Sequence, residues 1–145
     1  MKQHFFLHSL DTTEGINLHN ITGVIEQQLA LSGISNGFVI VTSRHTTTAL
    51  TINEDEERLL KDIDTFFSKL VPADEKYLHN DLHLRDCPPD EPENAHSHLI
   101  GMMLGSSEAI PVVEGKLQLG QYQSVMLVEL DGPRQRSVSL QVSGE

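Results

Sequence analysis

Four short segments rich in apolar and β-branched residues follow one another in the C-terminal third of the chain, and they constrain the fold more than any other feature. Each has the length of a strand, and turn-forming residues stand between neighbouring segments. The segments are residues 110–113, 117–119, 124–130 and 137–142, separated by Glu114-Gly115, Gly120 and Asp131-Gly132-Pro133. This series predicts strands joined by turns.

The N-terminal half mixes strands with a helix. Residues 4–8, 38–41 and 46–52 are rich in strand formers and predict three further strands. Between the first two, apolar residues spaced by three and four over residues 21–29 predict an amphipathic helix that ends near Gly33.

A second and stronger helical pattern covers residues 59–70, where apolar side chains recur at helical spacing. Asn53 with Glu56 three residues later resembles a capping box, and Pro72 marks the end of the helix. Strands at both ends of the chain with helices between them indicate the α+β class. A chain of 145 residues fits one domain, so we expect a single domain over residues 1–145.

A long polar segment with three prolines, residues 73–95, follows the second helix. Connections of this length in small domains are mostly functional or disordered. Its two histidines and several carboxylates favour a functional segment.

The charge balance excludes one class of partner. The formal charge is −11, and no basic stripe compensates for it, so we expect no binding to nucleic acid and no attraction to anionic membranes. No apolar run approaches the roughly 20 residues needed to cross a bilayer. The start of the chain lacks a signal-peptide pattern, and the single cysteine, Cys87, is compatible with a reducing compartment. We therefore expect a cytoplasmic protein.

Eight histidines form the most unusual feature of the composition. The candidates for metal binding are His45 between two predicted strands, His79 and His83 in the long polar segment, and His96 and His98 just after it. Imidazole is the commonest metal ligand, and such positions at strand ends and in loops often form sites. Composition alone leaves open whether these histidines bind a metal or only pack in the core and on the surface.

Two further groups of polar residues have both a functional and a structural interpretation. Thr46 and its threonine neighbours, with the helix start after Asn53, form a candidate anion site, but strand propensity and helix capping explain them equally well. Glu54 and Asp62 are candidates to orient imidazoles or to act as a general base, against a default of solvated surface.

Two arginines near the C-terminus stand out in so acidic a chain. Arg134 and Arg136 offer bidentate donors for a phosphate or carboxylate. Salt bridges with Asp131 or Glu129 are the alternative, and the sequence does not decide between them.

An ordered set of motifs resembles a known family. The chain contains His45-Thr46-Thr47-Thr48-Ala49-Leu50-Thr51-Ile52-Asn53-Glu54, then Tyr77-Leu78-His79-Asn80, Ser97-His98-Leu99, Leu104-Gly105-Ser106-Ser107, Leu119-Gly120-Gln121-Tyr122-Gln123 and Asp131-Gly132-Pro133-Arg134. Together they resemble the YjbQ-like family, also called secondary thiamine-phosphate synthases. The resemblance covers nearly the whole chain. Tyr122 and Ile100 depart from the tryptophan and lysine that many relatives carry.

The resemblance implies a compact α+β subunit, with a mostly antiparallel sheet and two main helices, that assembles as a homotrimer. It also implies weak thiamine-phosphate synthase activity on a phosphorylated small molecule, and a divalent metal, for which histidine ligands favour zinc. The implied metal ligands are His45, His79 and His98. The neighbouring motif residues are candidates for catalysis (Asn53, Glu54, Asp62) and for substrate binding (Thr46, Gln123, Arg134).

Two other functions compete with an enzyme. In one, a trimer binds a metabolite or metal without turnover, and in the other, the metal only holds the trimer together. His83 and His96 are second-choice ligands, whereas we expect His4, His8 and His19 to be surface or packing residues.

Overall fold

Two antiparallel sheets form the framework of the protein. The computed structural model describes all residues from 1 to 145 and contains eight strands and three helices. The strands are β1 (Lys2–Asp11), β2 (Gly15–Asn20), β3 (Gly37–Ser43), β4 (Thr48–Asn53), β5 (Ser107–Val113), β6 (Lys116–Leu117), β7 (Ser124–Gly132) and β8 (Gln135–Gly144). The helices are α1 (Thr22–Ser32), α2 (Glu57–Leu70) and α3 (Ala95–Leu104). The α+β class is confirmed.

The two sheets divide the strands in an order that differs from the chain order. The larger sheet has the order β1-β8-β3-β5-β6, and the smaller has β2-β7-β4. Consecutive strands therefore change sheet six times, and three of these changes are made by connections of two to four residues: residues 12–14 lead from β1 to β2, residues 44–47 lead from β3 to β4, and residues 133–134 lead from β7 to β8. We call these three segments the sheet-crossing connections.

Strand β7 explains how the layers pack, because it is buried on both faces. Val125 and Leu127 belong to the main core with the inner face of the larger sheet and α1. Val128 and Leu130 point the other way, into a smaller core that includes residues of α2 and α3. The smaller sheet is thus covered on both sides, which is why β7 is an almost continuous apolar run.

Helix α2 follows the predicted pattern, but its cap does not. The helix begins at Glu57, and the Glu56 carboxylate accepts a hydrogen bond from the Leu59 N–H at 2.6 Å. Asn53, the predicted cap, instead ends β4 and accepts from the Glu54 N–H at 2.8 Å. The capping-box prediction was wrong because the extended strand runs on to Asn53 and delays the helix. The first helix ends as predicted, with Gly33 at φ 69°.

Two elements have no counterpart in the sequence prediction. Helix α3 carries apolar residues nearly all round, with Ile100 buried and Met102 exposed, so it lacks the amphipathic pattern that identifies a surface helix. Strand β2 is only 6 residues long. The number of main helices is therefore three and not two.

Two predicted strands extend beyond the strands of the structure. Residues 46–47 and 118–119, predicted as strand, lie outside β4 and β6.

The segment between α2 and α3 contains only two short 3-10 helices, Leu78–Asn80 and Leu82–Leu84. This agrees with the prediction of a long polar connection. None of the helices is both long and apolar enough to span a membrane.

Candidate functional site

Two of the sheet-crossing connections meet at a polar cleft of about 430 Å³. Two of the connections and the end of the long polar segment supply its walls, and none of its lining residues is hydrophobic. The polar cleft is lined by Arg44, His45, Thr46, Thr47, Glu91, Pro92, Asn94, His98, Asp131, Arg134 and Arg136. Connections between sheets expose backbone and polar side chains at one place, which makes this the natural position for a site.

A buried ion pair forms the base of the cleft. The Arg136 guanidinium donates to the two carboxylate oxygens of Glu129 at 2.8 and 2.6 Å, and Glu129 is fully buried. Arg136 also donates to Thr47 Oγ1 at 2.8 Å, and Thr12 donates to Glu129. One charged pair thus ties all three sheet-crossing connections together.

The ionisation of Glu129 follows from these contacts. Burial alone would raise the pKa of its carboxyl, but hydrogen bonds from Arg136, Thr12 and the Asp131 N–H, with the Arg136 charge, bring the pKa below its ordinary value. Glu129 is therefore a carboxylate at neutral pH. The close approach of the connections also requires a glycine, since a Cβ on Gly132 would overlap the carbonyl oxygen of Thr13.

His45 is held by the backbone of β8. The Ser137 N–H donates to His45 Nε2 at 2.9 Å. Burial lowers the pKa of His45, the positive charges of Arg136 and Arg44 lower it further, and Glu129 only partly opposes them. His45 is therefore a neutral imidazole at pH 7.

The other two arginines of the cleft differ in how far they are engaged. Arg134 pairs with Asp131 (Nη2 to Oδ2, 3.0 Å) and also donates to the Asp131 carbonyl. Arg44 is exposed, and its one side-chain hydrogen bond is to the neutral Ser137 Oγ at 3.3 Å. Both salt bridges considered from the sequence, Arg134–Asp131 and Arg136–Glu129, are present, and both arginines also line the cleft.

Asn94 lines the cleft and also carries an unmatched acceptor. Its Nδ2 donates to Asp131 Oδ2 at 2.7 Å, and a carboxylate only accepts, so the amide orientation is fixed. Asn94 Oδ1 is then a buried oxygen without a hydrogen-bond partner. Such an atom is costly to leave unpaired.

Two histidines form a pair at one side of the cleft. The ring centroids of His79 and His98 are 4.7 Å apart in an edge-to-face arrangement. Burial lowers the pKa of His98, and the charges of His79 and Arg85 add to this effect against Asp131 and Glu91. His79 Nε2 is buried and has no hydrogen-bond partner.

The three predicted metal ligands fit a metal only in part. The unpartnered His79 Nε2 and the neighbouring His98 ring are suited to a shared ion, because neutral imidazole nitrogens are its usual ligands. His45 lines the cleft together with His98, but its Nε2 is occupied by the Ser137 N–H. No three histidine, cysteine or acidic side chains of one chain converge to hold a metal ion.

The predicted catalytic group does not lie at the cleft. Asn53, Glu54 and Asp62 are absent from its lining, and Asn53 contributes instead to an apolar pocket beside Phe66. The reason is the direction of β4, which starts beside the cleft at Thr48 and leads away from it. Five residues at about 3.3 Å each place Asn53 roughly 16 Å along the strand from Thr48.

Of the predicted substrate-binding residues, Thr46 and Arg134 line the cleft and Gln123 does not. Gln123 closes its own turn, accepting from the Gly120 N–H at 2.7 Å. The second-choice ligands lie elsewhere: His83 is exposed on the second 3-10 helix, and His96 lines a different pocket with Glu14.

The histidines expected to be packing or surface residues lie on the two N-terminal strands. His4 bonds to Gln28 at 2.8 Å, and His19 bonds to Asn17. Burial lowers the pKa of His8 and also that of His19, where Glu129 opposes the shift. None of them lines the polar cleft.

Sequence reasoning missed two important cleft residues, Arg44 and Asn94. Arg44 stands directly before His45, so its position next to a candidate ligand was an available signal. Asn94 carries no such signal, because its role depends on the contact with Asp131, 37 residues away.

Comparisons with known proteins match nearly the whole chain. The family model described as UPF0047 protein YjbQ-like matches residues 7–145. A UPF0047 protein of Methanothermobacter thermautotrophicus is 41% identical over 136 residues, covering 94% of this chain and 89% of that protein. A UPF0047 protein of Archaeoglobus fulgidus is 40% identical over 130 residues, covering 90% and 94%.

Solved structures resemble this one closely. A hypothetical protein from Aeropyrum pernix K1 gives a TM-score of 0.89 at 36% identity, with 98% of this chain and 99% of that chain covered. A YbjQ-like protein of unknown function from Sulfolobus solfataricus P2 gives 0.83 at 34% identity, with 99% of each chain covered. The chain therefore belongs to the UPF0047 family of YjbQ-like proteins.

Proposed function

We propose that the chain binds a phosphorylated small molecule in the polar cleft and catalyses a condensation of the thiamine-phosphate synthase type. The observation that supports it is the cleft itself: three arginines line a cavity without hydrophobic residues in a chain of formal charge −11. Guanidinium groups match phosphate oxygens with paired donors. The presence of three arginines in one cleft of an acidic chain favours the binding of an anionic ligand.

The contacts assign different tasks to the cleft residues. Arg44 has the least committed guanidinium, so it is the one that meets the phosphate. Arg136 and Arg134 are paired with carboxylates and contribute a positive field and a fixed wall.

In the proposed reaction, a thiazole phosphate attacks hydroxymethylpyrimidine diphosphate. The thiazole nitrogen forms a C–N bond to the pyrimidine methylene while the C–O bond to the diphosphate breaks, and pyrophosphate leaves with the electron pair. The cleft donors stabilise the negative charge that builds up on the leaving group.

Zinc is part of the same proposal, through two of the three histidines. His79 and His98 would hold the ion, and a bound divalent metal neutralises charge on a phosphoryl group. The support is the unpartnered His79 Nε2 beside the His98 ring.

The test is calorimetric titration with inorganic pyrophosphate, followed by a condensation assay with the two precursors. Arg44→Gln should weaken pyrophosphate binding by roughly tenfold or more, the cost of one charge-assisted hydrogen bond. The matched control is Arg58→Gln, which removes an exposed arginine from α2 at the same change in net charge. Equal weakening in both variants would point to bulk electrostatics and refute a built site.

Binding without turnover is the second candidate, and one observation favours it. The predicted catalytic acids are not at the cleft, and of its two carboxylates Asp131 is already engaged by Asn94 and Arg134. Tight pyrophosphate binding with no condensation product in the assay would establish this alternative.

We also propose that the chain forms a homotrimer through the outer face of the larger sheet. Phe5 and Leu7 on β1 and Phe38 and Ile40 on β3 are all exposed there, between 39% and 63%. Apolar clusters of this kind on a sheet face mark association surfaces.

We place the protein in the cytoplasm, where the single thiol of Cys87 stays reduced.

A further inference from the structure

The hydrogen bond between Ser137 and His45 determines which nitrogen of the ring carries a proton. A backbone N–H is only a donor, so His45 Nε2, at 2.9 Å from it, must be the unprotonated nitrogen. A neutral imidazole then has its single proton on Nδ1. The tautomer follows from the donor and acceptor chemistry of the two groups alone.

Nδ1 of His45 is the nitrogen that remains available. It has no hydrogen-bond partner within the chain, and it is not one of the buried unpartnered atoms, so it is open to solvent. His45 lines the polar cleft and also a second cleft shared with His98 and Ser106. An open N–H at this position is a donor without a partner.

This arrangement excludes ordinary metal ligation by His45. A metal ligand needs a free lone pair, but the lone pair of Nε2 points at the Ser137 N–H, and Nδ1 carries the proton. Binding a metal would require breaking the contact with β8 or forming an imidazolate.

Ser137 orients two neighbouring residues of the second sheet-crossing connection at once. Its N–H holds His45, and its Oγ accepts from Arg44 Nη1 at 3.3 Å. Ser137 itself follows Arg136, which is fixed by the buried pair with Glu129. The donors of His45 and Arg44 are therefore arranged by the same residue, from consecutive positions of one connection.

We propose that His45 acts in the cleft as a fixed Nδ1–H donor to an anionic oxygen of the bound phosphorylated molecule, and that it is not a metal ligand. Ser137 is the positioning residue for this donor. The proposal rests on the proposed function for the identity of the ligand, but the tautomer of His45 does not depend on it. The lowered pKa of His45 agrees with a neutral ring.

The tautomer is tested by nuclear magnetic resonance on the ¹⁵N-labelled full chain. Long-range ¹H–¹⁵N correlations separate protonated from unprotonated ring nitrogens, and the His45 signals are assigned by their loss in His45→Asn. We expect a protonated Nδ1 in the free protein, a shift of that nitrogen on adding inorganic pyrophosphate, and no change at His45 on adding Zn²⁺. A protonated Nε2, or a Zn²⁺-induced change at His45, would overturn the proposal.

Affinity provides a second readout that a purely structural role would not affect in the same way. Because the amide nitrogen of asparagine can occupy nearly the position of Nδ1, His45→Asn should retain pyrophosphate affinity better than His45→Ala, which we expect to lose about tenfold. His4→Asn, on β1 and outside the cleft, is the control.

The outcomes separate the two proposals. If pyrophosphate binds neither wild type nor variants, the proposed function fails and the donor role fails with it, while the tautomer stands. If wild type and His45→Ala bind pyrophosphate equally well, only the role of His45 is refuted.

Discussion

Replacing Glu129 by glutamine tests the buried pair that ties the sheet-crossing connections together. The substitution keeps the shape of the side chain and one acceptor oxygen but removes its negative charge. Arg136 is only 4% exposed, so its positive charge would be left in the interior without compensation. Breaking a buried pair from one side costs about 3–5 kcal/mol of the free energy of unfolding, and we expect a loss of that size.

The contacts of Glu129 support the upper part of that range. Two hydrogen bonds from Arg136, at 2.6 and 2.8 Å, and one from the Asp131 N–H, at 3.0 Å, all weaken when the carboxylate becomes an amide. In addition, the amide N–H₂ of glutamine is a donor and would face one of these donors. Urea unfolding followed by circular dichroism measures the change.

The same substitution should also change how the free energy of unfolding depends on pH. The folded-state pKa of Glu129 is depressed, so the carboxylate stabilises the fold fully above its unfolded pKa, near 4.5, and this contribution is lost as the pH falls toward the folded pKa. Wild type should therefore lose stability on acidification below about pH 5 more steeply than Glu129→Gln. A destabilisation of Glu129→Gln below about 1 kcal/mol at pH 7, or identical pH profiles, would refute the reasoning.

The double variant Glu129→Leu with Arg136→Met is the natural control. Removing both charges leaves no unpaired ion, so its loss of unfolding free energy should be smaller than the sum of the losses of the two single variants. Additive losses would mean that the pair is not coupled.

Three further predictions concern zinc, the outer sheet face and the core. His98→Ala should lose Zn²⁺ binding measured by elemental mass spectrometry, and His45→Ala should keep it; the reverse result would return His45 to the metal site. Ile40→Lys should convert the proposed trimer to a monomer in light scattering, whereas Leu31→Lys, a similar change at an exposed position on α1, should not. Leu127→Ala, in the fully buried centre of β7, should lower the free energy of unfolding by about 2–5 kcal/mol; a loss below about 1 kcal/mol would contradict its place in the main core.

Local patterns in the sequence were sufficient for helix α2 and for most strands. Helix α2 was predicted because its apolar residues repeat at helical spacing, and the strands because short runs rich in apolar and β-branched residues lie between turn-forming residues. Helix α3 was not, since the exposed Met102 and Met103 remove the contrast between its faces. Because these two side chains do not enter the core, their positions in the sequence do not show which face of the helix is buried.

Cleft residues could be predicted from the sequence where the residue type itself suggests a function. They could not be predicted where the role depends on a contact that only the fold creates. His98 and Arg134 stood out from the sequence and line the cleft. Asn53 does not line the cleft with His45, because neighbours in a motif separate quickly along an extended strand. The tautomer of His45 depends on Ser137, 92 residues away, and no local pattern contains that information.

The three sheet-crossing connections, two of which line the cleft, have a consequence for its dynamics. The Thr12 N–H donates to the Arg134 carbonyl and the Leu130 N–H to the Thr47 carbonyl, so each connection or its adjoining strand bonds to another. Moving these connections apart would therefore mean parting the two sheets, and we expect hydrogen exchange at Thr12 and Leu130 to require the full free energy of unfolding. A ligand that contacts the walls formed by the connections consequently meets a preformed surface, and it loses little binding free energy to ordering that part of the protein.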